Sequence, residues 1–260
     1  MPAQGQYATY PSLFGRIVVI SGGATGIGAS MVEAFATQGA KVVILDILSE
    51  AASELIQKLR DRNVVHPPVY HQCDVTKIDD ELKPVAAKIL ESSPSIDVLV
   101  NNAANDVRQP TLEVTQEQWD QGIAVNLRHV FFLTQALMPG LLTGGSASVI
   151  NMGSISWEVA VPSLITYVSS KSGIVGLTKA LAEEFGPKGI RVNSIMPGAI
   201  ATEKQKREIY TPEIEADILK GQAVKRMLQP DDVARMALWL AADDSSAVTS
   251  QSIRVDAGWI

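Results

Sequence analysis

Tyr167 and Lys171 stand four residues apart in the run Thr166-Tyr167-Val168-Ser169-Ser170-Lys171. If that run is helical, both side chains leave one face about one turn apart and act on the same atom. A free phenol with a pKa of ~10 is a poor base at neutral pH, and lowering it by ~3 units takes about 4 kcal/mol of preferential stabilisation of the phenolate. The Lys171 ammonium is placed to supply much of that, so the pair is expected to work as an acid–base dyad. Ser154 lies thirteen residues before Tyr167, in Asn151-Met152-Gly153-Ser154, where an apolar strand ends. From there its hydroxyl faces the same reacting oxygen from the other side. Tyr and Lys at this spacing are also common solvent-facing neighbours. The specificity lies in Ser, Tyr and Lys occurring together, downstream of a nucleotide-type turn.

That turn is Ser21-Gly22-Gly23-Ala24-Thr25-Gly26-Ile27-Gly28, which follows one apolar strand and opens a helix. Small residues let the backbone approach a pyrophosphate, while exposed N–H groups and the positive end of the helix dipole stabilise its charge. Gly22, Thr25, Gly26, Ile27 and Gly28 are therefore candidate cofactor contacts. The glycine spacing is G-x-x-x-G-x-G, and taken alone such a turn is also an ordinary strand-to-helix corner. Asp46 adds the second signal. It stands eighteen residues after Gly28 at the end of the next strand, where a carboxylate accepts both hydroxyls of an adenosine ribose. That favours NAD, because a 2′-phosphate would be repelled and neither the turn nor Ile47 offers a neutralising Arg or Lys. NADP stands as the alternative, as does a strand-end cap for Asp46.

The elements that must position these residues follow from hydrophobic periodicity. Short apolar runs at 17–21, 41–46, 69–73, 96–100, 148–152, 191–196 and 251–255 read as strands. Segments of helical period read at 26–38, 49–60, 78–92, 116–138, 167–185 and 231–241. Each connection is long enough for a crossover helix, which predicts an α/β, Rossmann-type, doubly wound fold with a seven-stranded parallel sheet flanked by helices. Ligands in such a sheet bind at the carboxyl ends of the strands. One domain over residues 1–260 is expected, with no linker, internal repeat or low-complexity tract. The stretch Gly198 to Pro230 lacks a strand and is too polar for core, so residues 199–222 are the candidate for a mobile substrate lid.

Composition excludes several other classes. Of 260 residues 46% are apolar and only 19% charged, and 22 Lys plus Arg against 28 Asp plus Glu leave a net charge of −6 with no basic run. A nucleic-acid surface is not expected. No apolar stretch approaches the ~20 residues of a membrane span, and Met1 to Phe14 carries no positive charge ahead of an apolar core, as a secretory signal would. Cys73 is the only cysteine, so no intrachain disulfide forms, and a reduced, cytoplasmic setting is expected. His66, His71 and His129 lack the spacing of a metal site, and no metal is expected.

With these motifs in place, the chain resembles the short-chain dehydrogenase/reductase family along essentially its whole length. Ser21 to Gly28 is similar to the family's glycine motif, with Ser21 where Thr is usual. Cys73-Asp74-Val75-Thr76 is similar to its adenine-contacting turn, which implies Asp74 and Val75 as contacts. Asn101-Asn102-Ala103-Ala104 resembles the N-N-A-G loop, implying Asn102 and Ala103 beside the cofactor, with Ala104 in place of Gly. Val125-Asn126-Leu127 carries the asparagine that, by this resemblance, completes a catalytic tetrad of Asn126, Ser154, Tyr167 and Lys171 and holds a water in the proton relay. Met196 to Thr202 resembles the loop at the nicotinamide and implies Pro197, Gly198, Ile200 and Thr202 as contacts. Asp256-Ala257-Gly258 stands in for a terminal D-G-G. The implied mechanism is hydride transfer between the nicotinamide and a carbinol carbon. Tyr167 takes the alcohol proton, Ser154 holds the oxygen and Lys171 also orients the nicotinamide ribose.

Within the family, dispersed pieces resemble the aldose 1-dehydrogenases, those acting on D-xylose above all. They are Tyr10-Pro11-Ser12-Leu13, Asn105-Asp106 with Arg108, Trp119-Asp120 with Val125 to Phe132, Gly153 to Trp157, Tyr210 to Glu213, and Val255 to Trp259. The resemblance implies oxidation of an aldopyranose such as D-xylose or L-arabinose at C1, giving a lactone, with NAD as acceptor. Trp157 and Glu158 follow Ser154 and are the candidate substrate contacts beside Ser154 and Tyr167, as a platform for a sugar face and an acceptor for its hydroxyls. Lys204, Lys206 and Arg207 on the lid would meet an anionic sugar or form a solvated helical face. A homotetramer is implied, built on the helices near 117–138 and 167–185, with Trp259 and Ile260 at an interface. Two other readings stay open: an NAD-dependent dehydrogenase of another alcohol, diol or hydroxyacyl substrate, and a nucleotide-binding module without turnover.

Overall fold

In the computed structural model, which describes residues 7–260, seven parallel strands form one sheet in the order β3-β2-β1-β4-β5-β6-β7. They are β1 (Ile17–Ser21), β2 (Lys41–Asp46), β3 (Val69–Gln72), β4 (Val98–Asn101), β5 (Ala147–Met152), β6 (Ile190–Pro197) and β7 (Ser252–Val255). Residues 1–6 of the segment read for a secretory signal lie outside the described residues. No helix among the described residues is long and apolar enough to cross a membrane.

The inner strands are apolar on both sides because both sides are covered. Val18 and Ile20 of β1, Val98 and Val100 of β4, and Ile150 and Met152 of β5 face one cluster. Alternate residues Val19, Leu99 and Val149 face the other. The first cluster is closed by α1 (Gly26–Thr37), α2 (Ser49–Asp61) and α9 (Pro230–Ala241), and the second by α3 (Lys83–Ser92), α5 (His129–Thr143) and α6 (Ile165–Phe185). Below the carboxyl ends of β4 and β5 a buried amide–hydroxyl network sets the depth of α5 and α6. Asn101 Nδ2 donates to Thr134 Oγ1 at 3.0 Å and to Asn151 Oδ1 at 2.8 Å, and Asn151 Nδ2 donates to Thr178 Oγ1 at 3.0 Å.

The expected helix over 116–138 is three pieces: α4 (Gln116–Ile123), a π turn over Ala124–Arg128, and α5. A capping box of Thr115 and Gln118 starts α4. Helix α5 runs on past Pro139, whose missing N–H leaves one bond unmade at the exposed Gln135. The strandless stretch after β6 contains α7 (Glu203–Glu208) and α8 (Pro212–Gly221), capped by the hydroxyls of Thr202 and Thr211.

Phe35 of α1 is fully buried between the sheet and α9. Phe35→Ala should cost about 3–5 kcal/mol, read as a lowered midpoint in thermal or denaturant unfolding, with the exposed Phe131→Ala changing little in the monomer.

Candidate active site

The order of the sheet reverses at β1, whose two neighbours are β2 and β4, and a continuous cleft of about 1070 Å³ opens at the carboxyl ends there. At its β1 end, Gly22 has φ +65°, and its N–H donates to the Leu45 carbonyl at 2.7 Å. A Cβ on Gly22 would come within 2.7 Å of Ala103 Cα, and one on Gly28 would overlap the Gly22 carbonyl oxygen. Only glycine closes the turn. Asn102 Nδ2 donates to the Gly22 and Ser21 carbonyls at 2.8 and 3.2 Å, and the N–H groups of Asn102 and Ala103 donate to Ser21 Oγ at 3.0 and 3.2 Å. Helix α1 begins after Thr25 with no side-chain cap, so its first N–H groups are left to bind an anion.

Asp46 sits at the end of β2, buried, with Oδ2 accepting from Ala24 N–H at 2.9 Å and Oδ1 from Leu48 N–H at 3.0 Å. These bonds orient the carboxylate and leave each oxygen a further lone pair. The only cations lining the cleft among the described residues are Arg108, Lys171 and Lys204. None of these belongs to the loops that hold Asp46. Gly22, Thr25, Ile27, Gly28, Asp46, Asp74, Val75, Asn102, Ala103, Pro197, Gly198, Ile200 and Thr202 all line the cleft. Gly26 does not, and its φ of +56° serves the turn itself.

At the other end, Asn126, Ser154, Tyr167 and Lys171 all line the same space. Lys171 is 2% exposed, and its Nζ donates to the Met152 carbonyl at 2.7 Å, tying α6 to the end of β5. It lies 5.3 Å from the centre of the Tyr167 ring. Burial drives Lys171 down to about 7, against a partial lift from the Asp106 charge. Burial, and then the charge of Asp106, push Tyr167 up to about 12, with the Ser154 hydroxyl acting the other way. The expectation of a phenol already lowered by its ammonium neighbour is therefore corrected for the protein alone. Desolvation of the phenolate is the largest cause. Nearby His129, fully buried, is pushed down to about 3 by burial and by Lys171, and is neutral.

The Asn126 side chain makes two bonds to the main chain of Asn105, Oδ1 accepting from its N–H and Nδ2 donating to its carbonyl, each at 2.9 Å. These two bonds fix the loop after β4 and leave the amide one N–H and one lone pair. That loop carries Asp106, whose Oδ1 accepts from Lys204 Nζ at 2.8 Å and Oδ2 from Gln205 Nε2 at 2.6 Å. Burial opposes ionisation of Asp106, yet Lys204 and Gln205 hold its pKa below the usual carboxylate value. Tyr210 donates to the Ile200 carbonyl at 3.2 Å and faces the same space.

Trp157 and Glu158 do not line the cleft, which corrects their expected role as substrate contacts. Trp157 ends the short 3-10 turn Ile155–Trp157, and Glu158 Oε2 accepts from Arg254 Nε and Nη2 at 3.0 and 2.6 Å. Instead Val159, Val161, Leu164, Ile214 and Trp259 supply apolar wall. Trp259 thus faces the cleft of its own chain, where a Cβ on Gly221 would press on its indole. The three cations of α7 are already partnered, Lys204 by Asp106, Lys206 by Glu203 and Arg207 by Glu208. No motif in the sequence points to Gln205, and Asp106 and Tyr210 fall only within the Asn105-Asp106 and Tyr210 to Glu213 resemblances. Among the described residues no group of three or more His, Cys, Asp or Glu is placed to hold a metal.

A family profile described as Enoyl-(Acyl carrier protein) reductase matches residues 22–260. A D-xylose 1-dehydrogenase of Caulobacter vibrioides is 46% identical over 252 residues, 97% of this chain and 98% of that protein. The Probable galactose dehydrogenase GalD of Rhizobium meliloti is 42% identical, covering 96% of each chain. The crystal structure of a 3-oxoacyl-[acyl-carrier protein] reductase from Brucella melitensis, 31% identical, superposes with a TM-score of 0.90 over 100% of this chain and 98% of that one.

Because burial and Asp106 raise the Tyr167 phenol, it should stay protonated in the protein alone up to at least pH 10. An ultraviolet titration of the unaltered protein minus Tyr167→Phe should show no phenolate below that pH, whereas a difference signal rising near pH 7 would contradict the assignment.

Proposed function

The chain belongs to the short-chain dehydrogenase/reductase family and is an oxidoreductase acting on CH–OH groups, and from that premise we propose that it oxidises the anomeric carbon of a neutral aldopyranose, D-xylose, L-arabinose or a similar sugar, to the lactone with NAD. The observation that carries this reading is the convergence of Ser154, Tyr167 and Lys171 at one end of a cleft whose other end holds Asp46 with no cation on its flanking loops. The sugar comes from the relatives named for xylose and galactose. The apolar wall of the cleft, and the pairing of Lys204, the lid cation that lines it, with Asp106, agree with a neutral ring substrate.

The turn over 22–28, whose space a Cβ would fill, fits a dinucleotide pyrophosphate, with Asp46 holding the adenosine ribose and Pro197 to Thr202 the nicotinamide end. When bound, NAD supplies the hydride-accepting carbon. Ser154 donates to the substrate oxygen, and Tyr167 takes its proton as the C1–H bond gives up its electron pair. Lys171, protonated or not, shares that proton economy. With burial driving lysine to about 7 and phenol to about 12, the dyad sheds its first proton near 7. The remaining proton is shared between amine and phenol, and the arrangement with the charge on Lys171 is the working base. Asn126 keeps its place in the site as the clamp on Asn105. Residues 199–222, with α7 and α8, form the substrate lid, closed by the Lys204–Asp106 pair. The exposed Trp119, Phe131 and Ile165 on α4, α5 and α6 support a homotetramer built on those helices.

NADH formation should follow addition of NAD with D-xylose or L-arabinose. Oxidation needs the dyad one proton short, so kcat/KM should fall about tenfold per pH unit below about 7 and level off above it. Tyr167→Phe should lower kcat by roughly 10²–10⁴. A panel of aldoses without turnover would remove the substrate assignment and leave the family.

The Asp46 carboxylate is expected to reject a 2′-phosphate and bind ribose hydroxyls. Asp46→Ala should raise the KM for NAD by about 10–100-fold and lift NADP toward parity, while unaltered enzyme preferring NADP would refute the assignment.

A further inference from the structure

We propose that Asp106 is the specificity-determining residue of the substrate end, its carboxylate accepting hydroxyls of a neutral sugar ring and turning away sugars that carry an acid group. This deepens the aldose reading and rests on it.

Asp106 is held from two sides. Its chain neighbour Asn105 is clasped by both amide atoms of Asn126, inside the π turn that also belongs to the site. Its carboxylate is fixed by Lys204 Nζ and Gln205 Nε2 from α7. Those two bonds use one acceptor position on each oxygen, and a carboxylate has about four in all. The free positions belong to a side chain that lines the cleft and is still 23% exposed. An ionised carboxylate donates nothing, so what it selects is a donor, and a sugar ring offers hydroxyl donors around an apolar C–H face. The complementary wall is Val159, Val161, Leu164, Ile214 and Trp259. Asp106 also acts electrostatically across the site, lifting the phenols of both Tyr167 and Tyr210. At contact, its free acceptor positions take hydroxyl donors and offer a second carboxylate no partner. Lys204 and Asp106 neutralise one another and Arg108 lines the same cleft, so the selection made by Asp106 is one of direct contact rather than of long-range field.

The test compares kcat/KM with NAD for D-xylose, its deoxy analogues, D-glucose and D-glucuronate. The proteins are the unaltered enzyme, Asp106→Asn and Lys204→Met, with NADH affinity by fluorescence as the check that each site is intact. The unaltered enzyme should prefer glucose over glucuronate by about tenfold or more. Asp106→Asn should lose about 10–100-fold on D-xylose, mostly in KM, and narrow that preference, while its loss should vanish on the deoxy sugar lacking the recognised hydroxyl. Lys204→Met keeps the carboxylate and should keep the preference for the neutral sugar. If Asp106→Asn oxidises sugars as well as the unaltered enzyme, or if Lys204→Met narrows the preference equally, the assignment of Asp106 is overturned and the aldose reading stands. If the unaltered enzyme oxidises no aldose, the aldose reading falls and takes this assignment with it.

Discussion

Asn102 bridges the carbonyls of Ser21 and Gly22 through its side chain, while its own N–H and that of Ala103 converge on Ser21 Oγ. The ends of β1 and β4 are thereby locked together at the point where the sheet order reverses. Everything that gives the cleft its shape follows from this closure. The Gly22 carbonyl is held so near α1 that Gly28 has room for hydrogen only. The helix start can then approach the strand ends, and its uncapped N–H groups come to the floor of the cleft. A larger residue at either glycine would lift α1 off the sheet and disturb the core beneath it, where Val32 and Phe35 pack.

The catalytic end depends on a comparable economy of polar groups in a dry setting. Lys171 is bound to a β5 carbonyl, Asn126 to the Asn105 main chain, Asn101 and Asn151 to threonines of α5 and α6. Each buried polar atom so paired avoids a desolvation cost of about 1–3 kcal/mol and fixes one element against another. The same dryness sets the resting protonation. It raises the phenol and lowers the amine, because burial disfavours the charged form of each. A tyrosine made acidic in advance is unnecessary if the charge appears only while lysine can take the complementary one.

Much of this was legible in the sequence, and for identifiable reasons. Strands such as Val98–Asn101 are buried on both faces and leave unbroken apolar runs, and the glycine turn needs residues without side chains, so both write themselves into composition. Tyr167 and Lys171 were found because helical spacing alone brings them together. Less was visible where a local bond decides the outcome. The π turn over Ala124–Arg128 leaves no periodic trace, and α7 is a six-residue polar helix held by a threonine cap, so it resembled an irregular lid. Trp157 and Glu158 follow Ser154 in the chain without lining the cleft, and that proximity says nothing of Arg254, 96 residues away, which binds Glu158.

Asp106 shows why the substrate end is harder to read than the cofactor end. Pyrophosphate and ribose are the same in every dinucleotide, so the groups that meet them sit at regular strand ends and recur as short motifs. The opposite end of the cleft is lined by side chains from several loops whose separation in sequence is arbitrary, here Asp106 after β4, Val159 after β5, Tyr210 between α7 and α8, and Trp259 after β7. The one feature they share is that each follows the carboxyl end of a strand or lies in the segment after β6. The sheet therefore prescribes where such loops meet, and the charge placed there is a carboxylate whose only cationic partner among the described residues comes from α7, within the same cleft as the Tyr167 phenol.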